Sequence, residues 1–223
     1  MKLSKETVAI LKNFANISGN LLVKPGSKVT TISTGKSLYA EAIVAENFDT
    51  EFGIYDLNEF LGALALYDDP EVTFEEKFAR IKEGKNGVKF FAADVSILVV
   101  PKSEPKLGDV DITFSLTADQ LNRIQKAAGV LRAPDITFTG DGQTVTVLVG
   151  DRKNVTGNSY DVTVGTTDAT FKAFFKVENI GKFVAGDYGV ELYSGRKAAR
   201  FISRSTTSSL QYVTPMEPDS SFN

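Results

Sequence analysis

The sequence predicts an α+β chain of two similar halves, residues 1–108 and 109–223, each with two helices packed on antiparallel sheet. Three observations predict this. Helical rhythm recurs at four places, the helical segments form two pairs at nearly constant offset, and the rest is a succession of short β-branched or aromatic runs broken by turns.

Ser4 to Ile17 (SKETVAILKNFANI) and Thr117 to Val130 (TADQLNRIQKAAGV) form the first pair. An offset of 113 places Val8 on Leu121, Leu11 on Ile124 and Ala15 on Ala128. Each segment opens on a hydroxyl suited to an N-cap, with an acid in the first turn. Thr117 and Gln120 have capping-box spacing. Tyr55 to Leu64 (YDLNEFLGAL), with Asp56 as N-cap, and Phe175 to Val184 (FKVENIGKFV) form the second pair at an offset of 120. The larger offset requires a longer connection in the second half, and Asp151 to Ser159 is the natural place for it.

Strands are expected at Lys28–Ile32, Leu38–Val44, Glu51–Tyr55, Glu71–Glu75 and Val88–Ala92. In the second half they are expected at Ile112–Leu116, Ile136–Thr139, Thr144–Val149, Tyr160–Val164, Thr170–Phe175, Val190–Tyr193, Ala198–Ser203 and Ser209–Thr214. Gly140-Asp141-Gly142 reads as a hairpin turn. Pro101 to Gly108 (PKSEPKLG) reads as an extended connector, and Thr214 to Asn223 as a mobile tail.

Composition narrows the chemistry. The 223 residues are 42% hydrophobic, enough for a core, and carry a net charge of −3, which excludes a uniformly basic nucleic-acid binder. Cys, His and Trp are absent. There is therefore no thiolate nucleophile, imidazole base, triad or Cys/His metal site, and neither a cofactor nor a metal is expected. The N-terminus lacks the apolar run of a secretory signal, and no stretch is long enough to span a bilayer. A soluble intracellular protein that is not an enzyme follows as the expectation.

On a helical wheel the first helix gathers Val8, Ile10, Leu11, Phe14, Ala15 and Ile17 on its apolar side. Lys5, Ala9, Lys12, Asn13 and Asn16 lie opposite. The third helix buries Leu121, Ile124, Ala127, Ala128 and Leu131, leaving Asn122, Arg123 and Lys126 outside with Asp119 at their head. Two readings stand: an ordinary solvated face, or a surface meeting phosphates without reading bases. Ser194-Gly195-Arg196-Lys197 with Arg200 and Arg204 is a basic hairpin, read as a solvated edge. Asp68, Asp69 and Glu71 lack Ca²⁺-loop spacing. Asn154-Val155-Thr156 is a glycosylation sequon by pattern only, and no phosphate-binding loop appears.

Met1-Lys2-Leu3-Ser4-Lys5-Glu6-Thr7 with Leu11-Lys12-Asn13-Phe14-Ala15, and above all Tyr55-Asp56-Leu57-Asn58-Glu59-Phe60-Leu61-Gly62, resemble the sliding clamps of T-even-type phages. The resemblance implies a DNA-clamp fold and a head-to-tail homotrimer that encircles duplex DNA regardless of sequence. It also implies partners: the replicative DNA polymerase, an ATP-driven clamp loader and late transcription factors, in the cytoplasm of an infected bacterium. Helices would line the hole, so Lys5, Lys12, Asn16, Arg123, Lys126 and Lys182 are the expected DNA-facing residues, with Lys176 a further candidate. The second helix, with Glu59 and no base, departs from this pattern. Sheet edges near Val88–Ala92 and Asp151–Gly157 are the expected subunit contacts. Partner peptides in such clamps dock beside the interdomain connector, here Val99, Val100, Pro101 and Leu107 with Met216; the competing reading makes Ile97–Val100 a buried strand. A structural oligomer, such as a virion or scaffold subunit, is the alternative function, and a carboxylate-based enzyme a third.

Overall fold

In the computed structural model, which describes residues 1–154, 156–205 and 208–223, the chain divides into two units. One comprises Met1–Glu104 with Ser208–Leu210; the other comprises Pro105–Thr207 and Gln211–Asn223. The change of unit falls at Glu104–Pro105, within the proline-bearing connector and short of 108. Val155 of the sequon lies outside the described residues.

The first unit runs α1 (Lys5–Ile17), β1 (Leu21–Val23), β2 (Gly26–Ile32), β3 (Tyr39–Phe48), β4 (Phe52–Ile54), α2 (Leu57–Leu64), β5 (Glu71–Phe74), β6 (Phe78–Glu83) and β7 (Asn86–Phe91). β2 and β3 pair antiparallel, β1 pairs with β4, and β5-β6-β7 form a three-stranded sheet in which β7 has one neighbour. α1 packs on α2, β2 and β3 through Ile10, Leu11, Phe14 and Ile17. Phe14 is completely enclosed, and its truncation to Ala should cost about 3–5 kcal/mol. Phe48, Phe52 and Phe60 converge on Phe74, the closest ring pair being edge-on at 5.1 Å.

The second unit runs β8 (Ile112–Leu116), α3 (Ala118–Leu131), β9 (Asp135–Asp141), β10 (Thr144–Gly150), β11 (Tyr160–Thr166), β12 (Thr170–Lys176), α4 (Val177–Ile180), β13 (Tyr188–Tyr193), β14 (Ala198–Ser203), β15 (Ser209–Pro215) and β16 (Ser221–Phe222). One sheet is ordered β11-β10-β9-β12-β16; elsewhere β8, β13, β14 and β15 lie side by side. Inward residues of alternate register (Ile136, Phe138, Val145, Val147, Ala173, Phe175) form the floor under α3. Gly142, at φ 86°, makes the β9–β10 turn, and Asp141 accepts hydrogen bonds from the amides of Gln143 and Thr144.

From its first helix each unit runs helix, four strands, helix, three strands, and the second adds β8 before and β16 after. Lys5 and Ala118 open the first pair of helices 113 residues apart, and Leu57 and Val177 open the second 120 apart, matching the offsets read in sequence. The β10–β11 connection, 151–159, is only three residues longer than that between β2 and β3; most of the remaining extra length lies in β9 and β12, each longer than its counterpart β1 or β4.

Three expectations are corrected. The second helix of the second half is a single turn, because β12 continues through Lys176 and leaves only Val177–Ile180 helical. Val95–Ile97 is a 3-10 turn, and the residues after it are not a buried strand: Ile97 is 58% exposed. A close backbone approach fixes this path, since the Ala93 amide donates to the Gly53 carbonyl, where any side chain would collide with Ala93. The C-terminal segment is ordered, with Met216 and Ser220 buried and β16 paired to β12.

Candidate nucleic-acid interface

The exposed side of α1 follows from how its ends are held. Ser4 caps it by accepting from the Thr7 amide, and Glu46 on β3 accepts from the Ser4 amide and the Thr7 hydroxyl. Burial pushes the Glu46 carboxyl up, but the hydrogen bonds from Thr7 and Ser4 outweigh it and hold the group below the ordinary carboxylate range. With the apolar stripe against the sheet, Lys5, Ala9, Lys12 and Asn16 face outward. At about 100° per residue these four fall within an arc of roughly 60°. Asn13, expected among them, lies about 80° from Lys5 on the wheel. It is only 7% exposed, so it belongs to the buried side.

α3 is built in the same manner. Thr117 and Gln120 form the reciprocal capping box, and Asp187, from the loop before β13, accepts from the Ala118 amide at 2.7 Å. Leu121, Ile124 and Ala128 are buried, and Asn122, Arg123 and Lys126 are exposed, as the wheel predicts. The centre of that exposed side is Asp119, Arg123, Lys126 and Val130. Arg123 Nε donates to Asp119 at 2.8 Å, a pair one helical turn apart. Val130, 82% exposed, closes the row with an apolar side chain.

The remaining helices offer less positive charge. Asp56 caps α2 by accepting from the amides of Asn58 and Glu59, and the exposed side of α2 holds Asn58, Glu59 and Gly62. Lys182 follows α4 and is half-buried. Lys176 is committed elsewhere: it donates to buried Asp135 at 2.9 Å, which raises its pKa. The basic hairpin is largely satisfied internally. Arg200 pairs with Glu191, Arg204 donates to the Ser115 hydroxyl, and Lys197 donates to the Pro218 and Ser220 carbonyls.

Lys5, Lys12 and Asn16 therefore share one surface of the first unit, and Arg123 and Lys126 share one surface of the second. Of the peptide-pocket candidates, Val99 is 36% exposed, and its amide donates to the Asn20 carboxamide oxygen. Val100, Pro101 and Leu107 are half-buried, and Met216 is 4% exposed, packed inside its own unit. β7 and β11 each end a sheet. The first includes most of the expected Val88–Ala92 edge; in the second unit the edge is β11 and the expected 151–157 region is the loop leading to it. Sequence reading missed Glu46 and Asp187 as helix caps, since their partners lie 42 and 69 residues away. The Asp119–Arg123 spacing, in contrast, was open to view. Among the described residues no acidic cluster could hold a metal, and no helix is long and apolar enough to cross a membrane.

Comparison with known proteins places this geometry. The model for the DNA polymerase processivity factor matches residues 4–99, and that for the gp45 sliding clamp, C terminal, matches residues 113–218. The sliding clamp of Vibrio phage KVP40 is 33% identical over 226 residues, covering 97% of this chain and 99% of that protein. Those of Escherichia phage RB69 and Enterobacteria phage T4 are 32% and 31% identical, each over 99% of this chain and 98% of the relative. Among solved structures, PCNA of A. fulgidus bound to the C-terminal region of FEN-1 superposes with a TM-score of 0.74 at 11% identity, covering 96% of both chains. PCNA of Entamoeba histolytica gives 0.72 at 13% identity, covering 97% of both. At such identities the structural likeness speaks to fold alone.

Proposed function

Because the chain belongs to the phage sliding-clamp family of DNA polymerase processivity factors, which are not enzymes, we propose that it closes head to tail as a homotrimeric ring around duplex DNA. The observation that carries this reading is the repeat-related pair α1 and α3, each exposing basic side chains: an acid-free row with Lys5 and Lys12 on α1, and Arg123 and Lys126 behind a single acid, Asp119, on α3. Lys5, Lys12, Asn16, Arg123 and Lys126 meet phosphates through weak, water-bridged contacts, with Lys182 a minor contributor. Such contacts carry no sequence preference, so the ring slides, and retention comes from topological linkage. The acidic remainder disfavours binding on the outside.

The free edges of β7 and β11 suit a heterologous contact, in which one copy's β7 continues the next copy's sheet and satisfies exposed backbone groups. The segment Val95–Val100, with Val95, Ile97 and Val99 exposed, is the landing site for partner peptides, the polymerase among them. An ATP-driven loader opens the ring, and the same surface serves late transcription factors, in the cytoplasm of the infected host.

The test is retention after loading by the cognate loader. The protein should persist on nicked circular DNA and run off linear DNA with free ends; equal loss from both would remove the ring reading and leave a structural oligomer. Native mass supplies the companion measurement, with a trimer of the 24.2 kDa chain expected.

A further inference from the structure

The outer edge of β12 is covered by the chain's own last residues, and the covering is thin. β16 pairs only at Phe171↔Phe222 and Lys172↔Ser221. Around that two-residue ladder, the Glu217 amide donates to the Phe174 carbonyl at 2.9 Å, the Phe174 amide to the Ser220 hydroxyl at 3.0 Å, and the Asn223 amide to the Thr170 carbonyl at 3.0 Å. Phe222 stacks on Phe171 with centroids 6.2 Å apart. Arg152 holds the strap electrostatically, donating to Glu217 at 3.0 Å and to Asp219, whose side chain is 62% exposed. Of these partners only Asp219 is largely exposed; Arg152 is 16% and Glu217 27% exposed. Buried Met216 anchors the chain ahead of the strap, and within it Ser220 is buried and Lys197 donates to the Pro218 and Ser220 carbonyls.

Beside the strap, on the face of the sheet away from α3, lies an open cavity of about 500 Å³. Leu148 and Phe174 form its apolar floor, Arg152, Lys153 and Lys172 supply its positive charge, and Asp219 of the strap sits at its margin. The Arg152 guanidinium lies 4.9 Å from the centre of the Phe174 ring. The edge therefore joins two faces of β12: its backbone donors and acceptors run between an aromatic seat at Phe171, on the side of Ala173 and Phe175, and the basic cavity on the side of Lys172 and Phe174.

We infer that the β12 edge is a docking site for an extended acidic-aromatic peptide of a partner protein, held in cis by residues 217–223. The strap displays the chemistry the site accepts, with carboxylates on Arg152, main-chain pairing to β12 and an aromatic ring on Phe171. An incoming peptide would reproduce these contacts and extend its acidic end over the cavity, which Lys153 and Lys172 line. The inference does not depend on ring closure.

A fluorescein-labelled peptide with the sequence of Met216–Asn223 is the probe, and the full-length chain is the target. A tethered competitor at an effective concentration of about 1 mM should weaken binding by roughly tenfold. The probe should therefore bind the full-length D219K/F222E variant roughly tenfold tighter than the unaltered chain, and replacing the probe's phenylalanine by glutamate should abolish binding. Equal affinity for both chains, no saturable binding to either, or displacement of the probe by a single-stranded oligonucleotide but not by unlabelled peptide would each overturn the inference. Hydrogen exchange on the unaltered chain gives an answer independent of the variant's folding. The amides of Phe174 and Asn223 should exchange on the order of 100-fold faster than those of the β9–β10 ladder. Equal protection means the strap does not release, and the proposal fails.

Discussion

α1 and α3 are the same helix built twice and charged differently. Both are capped by a hydroxyl and by a carboxylate from a distant segment, and both bury a stripe of the same period. Their outward rows do not align residue for residue: Lys5, Ala9, Lys12 and Asn16 in α1 match Asp119, Arg123, Lys126 and Val130 in α3 at a separation of 114, one residue out of step with the 113-residue repeat. In α1 the row holds two lysines and no acid. In α3 the acid at the head is paired with the arginine one turn on, so only Lys126 offers unopposed charge. The repeated fold preserves the direction a row faces; the charge it presents is set residue by residue. α1 should therefore carry more of the attraction for DNA than α3.

The sharpest way to break that comparison is to reverse α1. K5E/K12E places six altered charges in the proposed trimer, and loading onto nicked circles at moderate salt should fall by roughly 100-fold with the native mass unchanged. A loss no greater than that of the α3 reversals would show that the rows are equivalent. Within α3, K126E should weaken loading by about tenfold and R123E by about threefold, because Arg123 already spends part of its charge on Asp119.

The caps can be compared next. E46Q removes a carboxylate that accepts two hydrogen bonds at the head of α1, at a cost of about 1 kcal/mol, or a fall of about 2–4 °C in Tm at pH 7. The Glu46 pKa is lowered by folding, so its contribution is present above the unfolded value of about 4.3 and lost as pH falls through the folded value. The Tm difference between E46Q and the unaltered chain should close in acid; a difference that persists below that range would mean packing, not charge, holds α1. D187N, at the more exposed cap of α3, should shift Tm by about 1 °C or less. The smallest change is expected from D119N, which frees Arg123 and should raise loading by about twofold, an effect that should fade at high salt.

What could be read beforehand divides along the same line. The burial of Leu11 and Phe14, the exposure of Lys12 and Lys126, the capping box at Thr117 and the two offsets are local properties, fixed by helical period and cap chemistry, and sequence carries them directly. The one-turn α4 was misjudged because Phe175 and Val177 fit a strand and a helix equally, and pairing of β12 with β9 decided for the strand. Asn13 was misplaced because a wheel gives angles but not how deeply the neighbouring strands rise around a helix. The tail looked mobile because Pro215, Pro218 and the short polar run show no period, while its order comes from Arg152, Lys197 and β12, all distant in sequence. Ile97–Val100 reads in sequence either as a buried strand or as part of a docking site, and the close approach of Ala93 to Gly53 is what places this segment at the surface.

Ala9 occupies the middle of the α1 row with a side chain of one carbon, where α3 has an arginine. Since the chain has no cysteine of its own, an A9C substitution would create a lone thiol one turn from Lys5 and near Lys12, and those ammonium groups would favour its thiolate. A spin label or solvent-sensitive dye attached there would need no background correction. It would follow the water structure between protein and phosphate while a single molecule moves along its track.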